Sequence, residues 1–207
     1  MELLSLTVGR LQENVYFLID ENKETLIFDP GAQAEDIKEL IEEEGLKPIA
    51  IVLTHAHGDH IGAVDELRKA YNIPMYMNEI EKEFLTNTDF NRSLYSNENI
   101  TVEPADGYYP AELGKWKIGS FEPELALIPG HSPGSTVFIF KYNGFVIGGD
   151  VLFKGSVGRS DFSYGSHMTL MAGIEQYLLP LPGNTVVFPG HGEPTTLQDE
   201  IASNPFL

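Results

Sequence analysis

Apolar residues recur along this chain with two different periods, and their alternation lays out the fold. Val15-Tyr-Phe-Leu-Ile19 and Thr25-Leu-Ile-Phe28 are short β-branched and aromatic runs separated by the polar turn Asp20-Glu-Asn-Lys23, the pattern of two strands. Asp29-Pro-Gly31 stops the second run. Ile37, Leu40 and Ile41 then share one stripe of a helix over 34–44, with acidic residues on its other faces and Gly45 at its end. A strand over 49–53, a His-rich loop, a helix over 62–71 and a strand over 74–77 follow. From 86 to 115 the periodicity fails, and Asn, Pro and Gly are scattered through a polar stretch that reads as a lid or a connector. Tyr108 and Tyr109 inside it are expected to pack rather than to touch substrate. Strands resume over 124–128, 136–140 and 145–147. A helix over 167–179 sets Leu170, Ile174, Tyr177 and Leu178 on one side, and a last strand covers 185–188. Strands interleaved with helices predict a mixed α/β class. With no repeat and no convincing linker, residues 1–207 are expected to form a single domain.

The charge and the missing cysteine narrow the field of functions. A net charge of −18 and a pI near 4.5 repel phosphate backbones and anionic lipid, so neither nucleic acid nor a membrane is expected as the main partner. With no cysteine there can be no disulfide, no thiolate ligand and no Cys nucleophile. The start, Met1-Glu-Leu-Leu-Ser-Leu-Thr-Val8, lacks a cationic leader pattern, and no apolar stretch approaches the length of a membrane span. A cytoplasmic location is the default expectation.

The chemistry concentrates at strand ends. Directly after the apolar run Ile49-Ala-Ile-Val-Leu53 comes Thr54-His-Ala-His-Gly-Asp-His60, where His55, His57, Asp59 and His60 fall within six positions. Imidazole and carboxylate donors thrown from one tight loop suit zinc, iron or manganese. Three more apolar runs end in small residues and then a metal-type donor: His131 after Pro129-Gly130, Asp150 after Gly148-Gly149, and His191 after Pro189-Gly190. Singly, each is an ordinary core histidine or turn aspartate. Together, seven donors exceed what one tetrahedral ion takes and suit two ions sharing a carboxylate. Only His167 of the six histidines falls outside the set; after Ser166, it reads as a first-turn helix residue.

These residues resemble the metallo-β-lactamase superfamily, and specifically its type II glyoxalase-like (hydroxyacylglutathione hydrolase-like), short single-domain branch. The matching pieces are Thr54-His-Ala-His-Gly-Asp-His60, Gly130-His-Ser-Pro-Gly-Ser135, Gly148-Gly-Asp-Val-Leu-Phe153, Pro189-Gly-His-Gly192, Gly155-Ser-Val-Gly-Arg-Ser-Asp-Phe162 and the ending Asn204-Pro-Phe-Leu207. The resemblance implies a four-layer αβ/βα sandwich. It implies that His55, His57 and His131 hold one metal, that Asp59, His60 and His191 hold the other, and that Asp150 bridges. Asp29 matches the family's structural aspartate and is read as a turn-stabilising group rather than a ligand.

The implied activity is hydrolysis of a small thioester by hydroxide held between two divalent ions, zinc first with iron or manganese as alternatives. Asp59 and Asp150 are the candidate catalytic residues. A thiolate leaves unprotonated, so no strong general acid is needed. Ser132 sits in a Ser-Pro-Gly turn and is read as a turn former. Arg159 falls where related enzymes place a cationic substrate contact, and Tyr164 flanks it; both are candidate substrate-binding residues, although Asp161 stands where an aromatic is usual and Arg159 also suits a local ion pair. Among rivals, a β-lactamase of the common kind would place Cys where Asp150 stands. A persulfide dioxygenase-like enzyme would use one iron on His55, His131 and Asp150. A non-enzymatic metal-binding or sensory module would lack a ligand or close the site.

Overall fold

The β-branched and aromatic runs form strands, and each of two sheets organises its own part of the chain. The computed structural model describes residues 1–110 and 114–207 and divides into two units, one of Met1–Tyr109 with Gly119–Phe121, the other of Pro110–Ile118 with Glu122–Leu207. Six α-helices occur among the described residues, and none is long and apolar enough to cross a membrane.

The first unit is built on a six-stranded sheet of β1 (Glu2–Val8), β2 (Glu13–Ile19), β3 (Glu24–Phe28), β4 (Lys47–Val52), β5 (Met75–Met77) and β6 (Gly107–Tyr108), in that order. β1, β2 and β3 pair antiparallel, and β3 to β6 run parallel. All seven residues of β2 are buried, the polar Glu13 and Asn14 included, and from Val15 to Ile19 the run is continuous rather than alternating. β1 was not expected: Leu3, Leu4 and Leu6 are half-buried on an outer strand and do not alternate cleanly. α1 (Ala34–Glu43) buries Ile37 and Ile41 with Leu40 half-buried, and Gly45 takes the left-handed φ of +61° just beyond it. The helix expected over 62–71 is α3 (Val64–Tyr71), and a further short helix not expected from the pattern, α2 (Gly58–Ile61), lies within the His-rich loop. In parallel strands the loops after the carboxyl ends lie along one edge, and there the chain places Asp29, after β3, and the His-rich loop, after β4.

The polar stretch from 86 is no free excursion over the residues described. It follows a 3-10 segment at Glu79–Leu85, contains α4 (Ser93–Ser96), and buries Asn91 completely. Asn91 Nδ2 donates to the carbonyls of Phe84 (2.8 Å) and Ile100 (3.0 Å), which ties the stretch to itself. Residues 111–113 of the expected lid or connector lie outside the described residues. Tyr109 is buried, as expected of a packing residue, whereas Tyr108 is 39% exposed.

The second unit carries a five-stranded sheet formed by β7 (Glu124–Leu127), β8 (Thr136–Phe140), β9 (Phe145–Gly149), β12 (Val186–Pro189) and β13 (Thr195–Thr196), ordered β13-β12-β9-β8-β7. A small hairpin, β10 (Leu152–Phe153) with β11 (Ser156–Val157), stands apart from it. α5 (His167–Tyr177) buries Leu170 and Ile174 in a core shared with Ile128, Val137, Val146 and Val187. Tyr177 is 37% exposed, contrary to the expected stripe; Gly173 is buried instead, because a Cβ there would lie 2.6 Å from Ile128 Cγ2. α6 (Leu197–Ser203) gave no signal in the apolar pattern. Its Glu200, 1% exposed, accepts from Gly155 N–H (2.8 Å) and from Asn204 Nδ2 (2.7 Å), which fastens the chain end to the small hairpin.

Candidate functional site

In the first unit the ligand loop is held from beneath by Asp29. This residue has a positive φ of 48° and is 3% exposed. Its Oδ1 accepts from the Thr54 N–H at 2.7 Å, while its Oδ2 accepts the Thr54 hydroxyl at 2.5 Å and faces His60 Nδ1 at 3.1 Å. A carboxylate can only accept, so His60 carries its proton on Nδ1 and presents Nε2 as a lone pair. The same logic passes to His55. The Thr54 hydroxyl has given its proton to Asp29, so at 3.1 Å it accepts from His55 Nδ1–H and leaves His55 Nε2 as the donor atom for a metal. Asp29 thus sets two imidazoles at once, the stabilising role anticipated for it.

His55 Nε2 lies 3.1 Å from His57 Nδ1, and the rings of His55 and His60 are 4.1 Å apart. Two nitrogens on one tetrahedral zinc stand about 3.3 Å apart, given bonds of ~2.0–2.1 Å. Buried imidazoles converging at that separation fit a divalent cation; His55, His57 and His60 are all at most 4% exposed. Asp59 sits on α2 with Oδ2 3.9 Å from His60 Nε2. Close backbone approach makes this possible. A Cβ on Gly31 would fall 1.7 Å from the Asp59 carbonyl oxygen, so only glycine lets the turn after Asp29 lie against α2.

One positioning residue escaped the sequence reading. Glu81, fully buried in the 3-10 segment, accepts the Ala56 N–H at 2.6 Å, between the two first histidines, and the Asn91 carbonyl accepts the Gly58 N–H at 2.7 Å. A lone glutamate in a polar stretch carries no local mark of such a contact. Tyr109, just beyond β6, braces the same loop: its buried phenol donates to the Leu53 carbonyl at 2.8 Å, and burial first, then the nearby Asp29 charge, pushes its pKa well above the usual tyrosine value.

In the second unit, sheet topology brings the remaining donors together. β12 runs parallel to β9, and β7 and β9 are both antiparallel to β8, so β7, β9 and β12 end at one edge. The donors follow those ends. Asp150 Oδ2 is 3.4 Å from His131 Nε2 and 3.6 Å from His191 Nε2, so its carboxylate lies between the two rings. His131 donates Nδ1–H to the Arg159 carbonyl at 2.8 Å, which leaves Nε2 free of its proton. Gly158 is required beside it, since a Cβ there would meet the Asp150 carbonyl oxygen at 1.9 Å. Ser132 is buried with its hydroxyl 2.7 Å from that of Ser135, as a turn former.

The candidate substrate contacts are placed differently. Arg159 is held bidentately by Asp161 (2.8 and 2.9 Å), stacks 4.5 Å from the Phe162 ring, and has its pKa raised chiefly by the Asp161 hydrogen bond. Tyr164 packs half-buried beside Phe162, with ring centroids 5.5 Å apart. His167 opens α5 behind the Ser166 cap and is exposed.

Comparison with known proteins bears on these loops. The chain matches the Metallo-beta-lactamase superfamily over residues 8–191. It is 34% identical over 208 residues to the hydroxyacylglutathione hydrolase GloC of Haemophilus influenzae, covering 100% of this chain and 98% of that protein. It is similar to the crystal structure of the BLEG-1 B3 metallo-beta-lactamase, with a TM-score of 0.95, 40% identity and 99% of each chain covered. It is also similar to TTHA1623 in a di-iron-bound form, with a TM-score of 0.86 and 36% identity over 99% of this chain and 100% of that one. The superfamily match runs from the end of β1 to His191 and contains every histidine and aspartate described above. By that match and by its His/Asp clusters, the chain belongs to the metallo-beta-lactamase superfamily and is a metal-dependent hydrolase.

Proposed function

We propose that the protein is a dinuclear thioester hydrolase acting on a small S-acyl thiol conjugate. In this reading, His55, His57 and His131 serve one divalent ion, Asp59, His60 and His191 the other, and Asp150 both. The observation that carries it is the donor chemistry. Three imidazoles have their proton fixed on Nδ1 by Asp29, Thr54 or the Arg159 carbonyl, and Asp150 lies within 3.6 Å of two rings. The similarity to GloC and to a di-iron protein supports both the substrate class and the count of two. When bound, two such ions lower the pKa of water toward ~7 and polarise a carbonyl. The chain itself orients the imidazoles through their Nδ1–H groups and sets Asp59 beside His60, where it can orient the attacking hydroxide. A thiolate leaving group asks for no acid, and none is assigned.

A second reading is favoured by one observation, the 40% identity to a protein titled a B3 metallo-beta-lactamase. It uses the same residues on a strained cyclic amide. Metal analysis together with turnover of S-D-lactoylglutathione and nitrocefin separates the two. About two zinc or iron per chain and preferred thioester turnover support the proposal. Nitrocefin turnover alone supports the second reading. One iron with thiol-dependent oxygen uptake overturns both.

A further inference from the structure

The first unit contains a cavity of 280 Å³ whose wall includes Asp59 together with Arg10, Leu11, Gln33, Glu98 and Ile100. Whatever fills it stands beside one of the candidate ligands. Arg10 and Leu11 belong to the β1–β2 turn, which is not left to wander. Val8 at its base is 1% exposed, and the Gly9 N–H donates to Gln33 Oε1 at 2.7 Å. Gln33 in turn donates to Asp36 in the first turn of α1.

The charges around the cavity differ in how they are used. Arg10 is exposed and makes no ion pair or side-chain hydrogen bond among the described residues, in a chain with 31 acids to 13 cations. The cations nearby in sequence space or in role are taken: Lys38 by Glu35 and Glu66, Arg68 by Asp106, Arg159 by Asp161. Glu98, also exposed, accepts the Ser96 hydroxyl at 2.8 Å. Leu11 is 54% exposed and Ile100 half-buried, so apolar surface lines the same cavity as Arg10. In a protein of net charge −18, an anionic substrate is repelled at long range unless a local cation receives it. A guanidinium with its fork unused, on a pinned turn, suits a carboxylate.

We propose that this cavity receives a carboxylate-bearing arm of the substrate and that Arg10 determines the preference for anionic over neutral thioesters. The inference rests on the hydrolase reading above. The test uses metal-loaded enzyme, wild type and Arg10→Ala and Arg10→Lys variants. The substrates are S-D-lactoylglutathione and the neutral S-D-lactoyl-N-acetylcysteamine, which share one acyl group. Arg10→Ala is expected to raise KM for the glutathione ester about tenfold, the worth of a charged hydrogen bond, with kcat within about twofold. KM for the neutral ester stays put, and Arg10→Lys is intermediate because it keeps charge without the fork. Calorimetric binding of S-methylglutathione, which cannot be hydrolysed, should weaken in parallel. Should wild type cleave neither ester while Arg10→Ala still weakens S-methylglutathione binding, the thioesterase reading falls and the subsite stands. Equal effects on both esters, no effect on either, or S-methylglutathione binding that is absent in wild type or indifferent to Arg10 overturns the subsite.

Discussion

Replacing Asp29 by Asn keeps the size of the side chain and changes only what it can donate and accept. The new amide must turn its oxygen to the Thr54 N–H, 2.7 Å away, because that backbone donor is buried and has to be satisfied. Its NH2 then occupies the position of Oδ2, which in the wild type accepts from both the Thr54 hydroxyl and His60 Nδ1. Thr54 can reverse its hydroxyl and accept, but it then no longer gives its proton away and stops fixing His55 in its tautomer. His60 must move its proton to Nε2, the atom meant for the metal. The loss of two bonds to a charged acceptor costs about 1.5–3 kcal/mol each, partly regained by reversal of the hydroxyl. Metal affinity is expected to fall about 10–100-fold, the usual effect of removing a carboxylate behind a ligating histidine. The assay is competition for zinc with a chromogenic chelator at pH 7, alongside a urea titration to establish that the variant is folded under assay conditions. Unchanged zinc affinity in a folded Asp29→Asn protein would refute the proposed tautomer chain from Asp29 through Thr54 to His55 and His60.

Other outcomes are expected from the same geometry. Asp150→Ala removes the carboxylate between His131 and His191 and should lose both turnover and bound metal, read by metal analysis after desalting; near-normal metal content would contradict its shared role. Glu81→Ala leaves the buried Ala56 N–H without its acceptor and should cost about 1–3 kcal/mol in urea unfolding, with faster metal release to a chelator, whereas Glu81→Gln retains an acceptor and should do better on both measures. For Tyr109 the sign is fixed by burial: the folded phenol resists ionisation, the unfolded one ionises near pH ~10, so its stabilising contribution is intact below that pH and is lost as pH rises. Tyr109→Phe should therefore flatten the fall of the urea midpoint between about pH 9.5 and 11; an unchanged slope would place the alkaline sensitivity elsewhere.

Legibility from the amino-acid order was uneven for reasons that can be named. Strands with a strong apolar run, such as β2 and β8, announce themselves because every residue is buried. β1 does not, since an outer strand needs only one half-covered face. α5 was legible as a helix, yet its buried side substitutes Gly173 for Tyr177, because the close approach of Ile128 is a property of two elements rather than one. The candidate ligands were visible because each follows the carboxyl end of a strand and is preceded by small residues or packed in one short loop.

The order of residues by itself determined the strongly apolar strands and the helices α1, α3 and α5, that the donors are imidazoles and carboxylates without thiolate, and that they lie at strand ends, since these depend on local periodicity and composition. Tertiary structure alone decided which nitrogen of His55, His60 and His131 carries the proton, because that turns on Asp29, Thr54 and the Arg159 carbonyl, groups brought to the rings by sheet pairing and tight turns. It alone placed Glu81 beneath the His-rich loop and left Arg10 beside Asp59. Hydrogen-bond partners across many residues are chosen by chain packing, and no window along the chain contains that choice.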